Sequence, residues 1–213
     1  MSHCPENPTM SLLVFDKHVG EQMIAQRRAA GLDRYDEVWD GDYVMPPMPN
    51  DEHQQIVCRV VSILQDVIGW PGLGEIRPGV NVSDRDEGWT ANYRVPDVAL
   101  FLEGTQAVNR DTHWVGGPDW LCEILSEGDH ARDKLGFYAQ VGVREVLLID
   151  RDPWTLELHQ RQGDALVLAG TSMLAQPDVL ASAVAPLTFR LVAGKTRPLV
   201  EVACTTDDRR WFA

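Results

Sequence analysis

The chain has 213 residues, 44% apolar and 24% charged, an ordinary globular composition that excludes collagen-like, coiled-coil and low-complexity classes. At roughly 150 residues per domain it holds one domain with trimmings, or two very small ones. Its 32 acidic residues against 19 basic give a net charge of −13, with 17 acidic and 8 basic between Asp51 and Asp150; a nonspecific nucleic-acid coat or an anionic-membrane binder needs the opposite balance, whereas an enzyme that meets phosphate through a metal ion does not.

Residues 1–15 read as a loose leader. From about Asp16 to Ala30 the pattern is helical, with Val19, Met23, Ile24 and Arg27 on one side and Gly31 as the stop. Tyr35 to Met45 reads as a hairpin around Asp40-Gly41, because both turn positions tolerate positive φ. Pro46, Pro47 and Pro49 end its second strand. Asn50 is a good N-cap, and Asp51 and Glu52 suit the first helical turn. Ile56, Val57, Val60, Val61, Leu64, Val67 and Ile68 then form an apolar stripe of helical spacing, ended by Gly69 and Pro71.

Four β segments follow: Gly74–Val82, about Trp89–Leu102, Trp120–Leu125 and Val143–Asp150. A loop over 104–118 separates the second from the third. A helix over about Asp129–Val141, closed by Gly142, separates the third from the fourth. Trp154–Leu168 reads as a hairpin, and Leu187–Val192 and Leu199–Ala203 as short strands. The order is mixed α/β, one sheet with helices on it.

The four cysteines, Cys4, Cys58, Cys122 and Cys204, form no CxxC pair. Cys58 and Cys122 sit in apolar runs, so buried reduced thiols are expected rather than disulfides or zinc. No apolar run approaches the ~18 residues of a membrane span. Met1 to Met10 is polar and lacks a signal-peptide core, so the expected address is the cytoplasm.

Two strands place an acid in an apolar run. Val95–Leu102 contains Asp97, and Trp120–Leu125 contains Glu123. Such runs read as central strands. Burying an unpaired carboxylate costs several kcal/mol, about enough to demand a cation, a salt bridge or protonation. An arginine such as Arg94 or Arg132 is one candidate partner. A shared cation is the other: Asp97 and Glu123 on one side of the sheet would offer two hard oxygens suited to Mg²⁺ or Mn²⁺. Asp119, after Pro118, reads as a strand-entry residue.

Lys134, Phe137, Tyr138 and Val141 share one face of the following helix. That face points the lysine toward the carboxylates, unless Lys134 snorkels to the surface and pairs with Asp133 or Asp129. His53, one turn before Ile56 and Val57, is either a core or capping histidine or a substrate-facing base. Glu37, on the first hairpin strand, is either exposed or a third acid. GxSxG, GK[ST], GxGxxG and HExxH are all absent, and the six histidines show no metal-ligand spacing.

In their order these pieces are similar to the Uma-two family of restriction-endonuclease domains, within the PD-(D/E)xK nuclease superfamily. The stretches that carry the resemblance are Glu37 to Met45, His53 opening a helix, Pro96-Asp97-Val98, Glu123 to Ser126, Asp133-Lys134 with Tyr138, Gly142 to Glu145, and the run ending at Asp150. They cover about residues 35–170. The resemblance implies a restriction-endonuclease-like mixed sheet flanked by helices, with extra β-hairpins; that domain is expected over residues 31–192, and outside the resemblance 1–30 is read as a helical extension and 193–213 as a tail. It implies Asp97 and Glu123 as ligands of Mg²⁺ or Mn²⁺, phosphodiester hydrolysis in DNA, and a lysine that stabilises the transition state. The superfamily lysine two residues after the second acid is missing, since Leu125 stands there; members like this one supply it from the following helix, here Lys134. Glu37 and His53 complete the candidate catalytic set, and a symmetric homodimer is expected. A binding or scaffold protein without turnover is the alternative.

Overall fold

The computed structural model describes residues 12–13, 17–46, 48–126 and 128–213. Most of the expected leader lies outside these residues; Leu12–Leu13 forms a two-residue strand, β1. Then come α1 (Lys17–Ala30), β2 (Glu37–Trp39), β3 (Asp42–Met45), α2 (Asp51–Leu64), β4 (Gly74–Pro78), β5 (Val82–Ser83), β6 (Tyr93–Arg94) and β7 (Val98–Leu102). The middle holds β8 (Val108–Asn109), β9 (Trp114–Val115), β10 (Trp120–Leu125), α3 (Leu135–Gln140) and β11 (Glu145–Arg151). The C-terminal part holds β12 (Trp154–Gln162), β13 (Ala165–Ser172), β14 (Leu180–Ala181), β15 (Leu187–Val192), β16 (Leu199–Cys204) and β17 (Arg210–Phe212).

The architecture is mixed α and β. The described strands form three sheets rather than the single one expected. The central sheet runs β13-β12-β11-β10-β7-β4. Its β10 is parallel to β11 and antiparallel to β7. All six residues of β10 are buried, as its near-continuous apolar run demands. Alternation along β10 sorts the core into two layers. Trp120, Cys122 and Ile124 join α2 and the C-terminal sheet, while Leu121 and Leu125 pack with Phe137 and Tyr138 of α3.

Helix α2 forms as its signals require. The Asn50 side chain accepts the His53 backbone N–H at 2.9 Å, and Ile56, Val57, Val60, Ile63 and Leu64 are buried. A π-helical turn over Gln65–Gly69 extends it and buries Val67 and Ile68. Cys58 falls off this stripe and is exposed, contrary to expectation; Cys122 and Cys204 are buried and free, and Cys4 lies outside the described residues. In α1, Met23 and Ile24 pack inward, but Val19 is exposed and Arg27 binds Asp36 instead of joining the apolar side.

The expected long strand over 89–102 is broken. Trp89–Ala91 is a 3₁₀ turn, β6 belongs to a second sheet, and Pro96, which has no N–H to donate, stands before β7. That second sheet has the order β1-β3-β2-β6-β5-β9-β8 and takes two strands from the loop expected over 104–118. The helix expected from Asp129 begins as a 3₁₀ turn, Ala131–Lys134, and becomes α only at Leu135. Residues 193–213, expected as a tail, supply β16 and β17 of the third sheet, β14-β15-β16-β17, and bury Val200, Val202 and Ala213 in the main core. Among the described residues no helix is long and apolar enough to cross a membrane.

Candidate active site

The two acids meet where β7 begins and β10 nears its end. The register Cys122↔Val98 puts Asp97 opposite Glu123 one step further on. Asp97 Oδ2 accepts the Ile124 N–H at 2.8 Å, and the Asp97 N–H points at Glu123 Oε2 at 3.4 Å. Glu123 is buried, whereas the Asp97 side chain keeps 20% of its exposure. Both line a cleft with Glu37, His53, Asp129 and Lys134.

Lys134 is the cation of this cleft. Its ammonium lies 2.9 Å from Glu37 Oε1 and 3.1 Å from Glu123 Oε1. It is one of only three lysines among 19 basic residues. A compact ammonium can serve two carboxylates from the 3₁₀ turn, where a planar guanidinium fork would demand a different geometry. The surface alternative fails, because Lys134 is 11% exposed and Asp133 turns away to His130 at 2.9 Å. Neither Arg94 nor Arg132 pairs with the two acids. Arg94 is buried, donates to the Val38 carbonyl at 2.8 Å and stacks on Phe137. Arg132 binds Asp150 and Glu157.

Glu37 is not an exposed hairpin acid. It is buried, accepts the Val95 N–H at 2.8 Å and the Trp39 indole N–H at 2.7 Å, and so ties the hairpin to the segment entering β7. His53 faces Asp97: its Nε2 is 3.1 Å from Asp97 Oδ2, and its buried Nδ1 has no hydrogen-bond partner among the described residues. The tautomer with its proton on Nε2 accounts for both facts. Tyr138 donates its hydroxyl to Glu123 Oε1. Asp129, in the sequence no more than a possible partner for Lys134, accepts the Ala131 N–H at 2.7 Å and lines the same cleft. No periodicity could have assigned it, since it stands in a turn.

Charge is unbalanced here. Glu37, Asp97, Glu123 and Asp129 face one ammonium. Burial pushes the Glu123 carboxyl up to about 8; Lys134 opposes that, while Asp97 and Glu37 reinforce it. Burial raises Asp129 as well, again opposed by Lys134. Burial alone would lower the Lys134 pKa, but Glu123 and Glu37 outweigh it and hold the ammonium above its ordinary value. The lysine is therefore charged, and the acids have more negative charge than it can offset.

A divalent cation fits this donor set. Oε1 of Glu123 is occupied by Lys134 and Tyr138, but Oε2 has only the long contact from Asp97, and the hydrogen bonds of Asp97 use Oδ2. One oxygen of each acid thus remains for a hard cation. Among the described residues no group of three His, Cys, Asp or Glu side chains forms a cage. Mg²⁺ does not require one, because it binds one or two carboxylates and completes its shell with water and substrate phosphate.

By architecture the chain is a nuclease-type fold. It is similar to a solved structure described as a putative nuclease belonging to DUF820 from Anabaena variabilis, with a TM-score of 0.54 and 21% identity over 70% of this chain and 80% of that one. Residues 26–193 match the family model Uma2, described as a putative restriction endonuclease, and the chain belongs to that family. No curated protein sequence matches it.

Proposed function

We propose that this protein is a Mg²⁺- or Mn²⁺-dependent endonuclease that hydrolyses phosphodiester bonds in DNA, with Asp97 and Glu123 as the metal-holding carboxylates. The observation that carries this reading is the surplus of acid around Lys134, four carboxyl groups of which Glu37 and Glu123 are buried. Uncompensated buried carboxylates cost stability, and a divalent cation with a phosphate bound to it removes that cost. When bound, the cation supplies Lewis-acid stabilisation of phosphate charge and lowers the pKa of a water.

The chain's own residues do the rest. Glu37 and Glu123 hold the Lys134 ammonium in place, so it offers fixed positive charge to the phosphate as negative charge develops there. His53 donates Nε2–H to Asp97 and acts as a positioning residue. Tyr138 fixes the rotamer of Glu123 through its other oxygen. Cutting both strands of a duplex needs two such sites, which a symmetric homodimer would supply.

The net charge of −13 favours a second reading, a nuclease-fold binding protein without turnover. Incubation of supercoiled plasmid with the purified chain separates the two. The endonuclease reading expects nicked and linear DNA with Mg²⁺ or Mn²⁺, none with chelator, and none with Asp97→Asn or Lys134→Ala. Intact plasmid and intact oligonucleotides under all these conditions, with Mn²⁺ still bound, would favour the second reading.

A further inference from the structure

Most of the positive charge in this protein is paired within the chain. Thirteen of its sixteen arginines form ion pairs with carboxylates. Of the other three, Arg94 is buried and Arg59 donates to the Phe212 carbonyl. The third, Arg34, is exposed, and among the described residues its guanidinium lies against the ring of Tyr35, 5.6 Å from guanidinium carbon to ring centroid, with no carboxylate paired to it.

Arg34 lines a groove that opens from the acid cleft and shares Tyr35, His53 and Asp97 with it. Among the described residues Asp97 is the only acid on the groove's wall; besides Arg34 and His53 the remainder is uncharged, including Gln54, Ser62 and the Pro78-Gly79 turn. In a chain of charge −13, a polyanion could follow this path to the site without meeting other wall carboxylates.

The floor of the groove is tied to the site. The Gly79 N–H donates to the Asp97 carbonyl at 3.2 Å. Gly79 has φ +58, and a Cβ there would come within 3.3 Å of Tyr35 Cε1. The tyrosine ring thus sits close over a residue that is glycine for both reasons. Arg34 is in turn held against that ring.

We infer that this groove takes the sugar-phosphate backbone of the substrate strand, with Arg34 binding a phosphate beyond the one that is cut. This rests on the endonuclease reading and adds the path of the strand. Arg34 is a binding residue here, so it acts on affinity and leaves the chemical step alone.

The test compares wild type, Arg34→Gln, Arg34→Lys and Lys195→Gln. Lys195 is exposed and does not line the groove, so its variant makes the same charge change outside it. Cleavage kinetics with Mn²⁺ and oligonucleotide binding with Ca²⁺ are measured over a range of salt. We expect Arg34→Gln to raise KM and Kd about 5- to 10-fold with kcat within about twofold, the scale of one exposed charge-assisted contact. The slope of log Kd against log salt should become shallower by about 0.7–0.9. Arg34→Lys should recover part of the loss, and Lys195→Gln should match wild type. If wild type cleaves but Arg34→Gln behaves like Lys195→Gln, the groove assignment is wrong while the endonuclease reading stands. If wild type neither binds nor cleaves any nucleic acid, that reading fails and the groove assignment with it.

Discussion

Lys134 and Glu123 are eleven residues apart in the chain and 3.1 Å apart in the fold. The contact is made from a 3₁₀ turn onto the third-last residue of a central strand, and the same ammonium reaches Glu37 at 2.9 Å. Leu125, two residues on and on the same face of the strand as Glu123, packs with α3 and carries no charge. The turn delivers the charge to the acids by another route.

Removing that charge should be costly in two separate ways. Lys134→Ala leaves two buried acids, Glu37 and Glu123, without their cation, and truncating one partner of a buried pair costs about 3–5 kcal/mol. We expect a loss of about that size at pH 7 in chelator, measured by denaturant unfolding, and partial recovery on adding Mn²⁺. Cleavage should stay abolished after that recovery, because a metal that restores the fold does not replace the ammonium.

Glu123 should impose a pH dependence on stability. Its carboxyl is raised to about 8 in the fold against an ordinary 4.5. Between those values the native state keeps a proton that the unfolded chain has lost. Its contribution is therefore fully present below about pH 4.5, falls as pH rises toward 8, and levels off above. Glu123→Gln carries no such proton. In chelator, the variant should gain on wild type by up to about 1.4 kcal/mol per pH unit across that window. A difference that is flat from pH 5 to 8 would show that Glu123 is ionised throughout.

The same proton should leave when metal binds. Calorimetry in buffers of different ionisation enthalpy should show about one proton released per Mn²⁺ near pH 6.5, declining toward pH 9. Tyr138→Phe removes a hydrogen bond that favours the ionised form. The release window of that variant should move to higher pH. An unmoved window would mean that the hydroxyl does not govern the carboxyl.

Local signals announced much of this fold. Asn50 capped α2 as its neighbours required, and the Asp40-Gly41 turn closed β2 onto β3 with positive φ at both residues, 49° and 97°. The apolar run of β10 became a central buried strand, and Glu123 and Asp97 met across it. Long-range partnership was harder to read. Glu37 looked like any hairpin acid until Val95 and Lys134 were brought to it, from 58 residues away in the first case. Arg94 looked like a counter-ion for the acids, but the Val38 carbonyl and the Phe137 ring claim it. Strand β16 was legible from its run, yet its place in the main core was not, because nothing in residues 193–213 says which surface they cover.

The central claim is that Asp97 and Glu123 hold a divalent cation for phosphodiester hydrolysis. The most direct measurement is calorimetric titration of Mn²⁺ into wild type, Asp97→Asn and Glu123→Gln at neutral pH. The account predicts saturable binding to wild type below millimolar Kd, and a loss of at least about tenfold in each variant, since each removes one of two anionic oxygen ligands. Both variants should stay folded, because Glu123→Gln puts a neutral amide where the carboxyl keeps its proton at neutral pH, and Asp97→Asn changes a side chain that is 20% exposed. No saturable binding to wild type up to millimolar Mn²⁺, or equal binding to all three proteins, would contradict it.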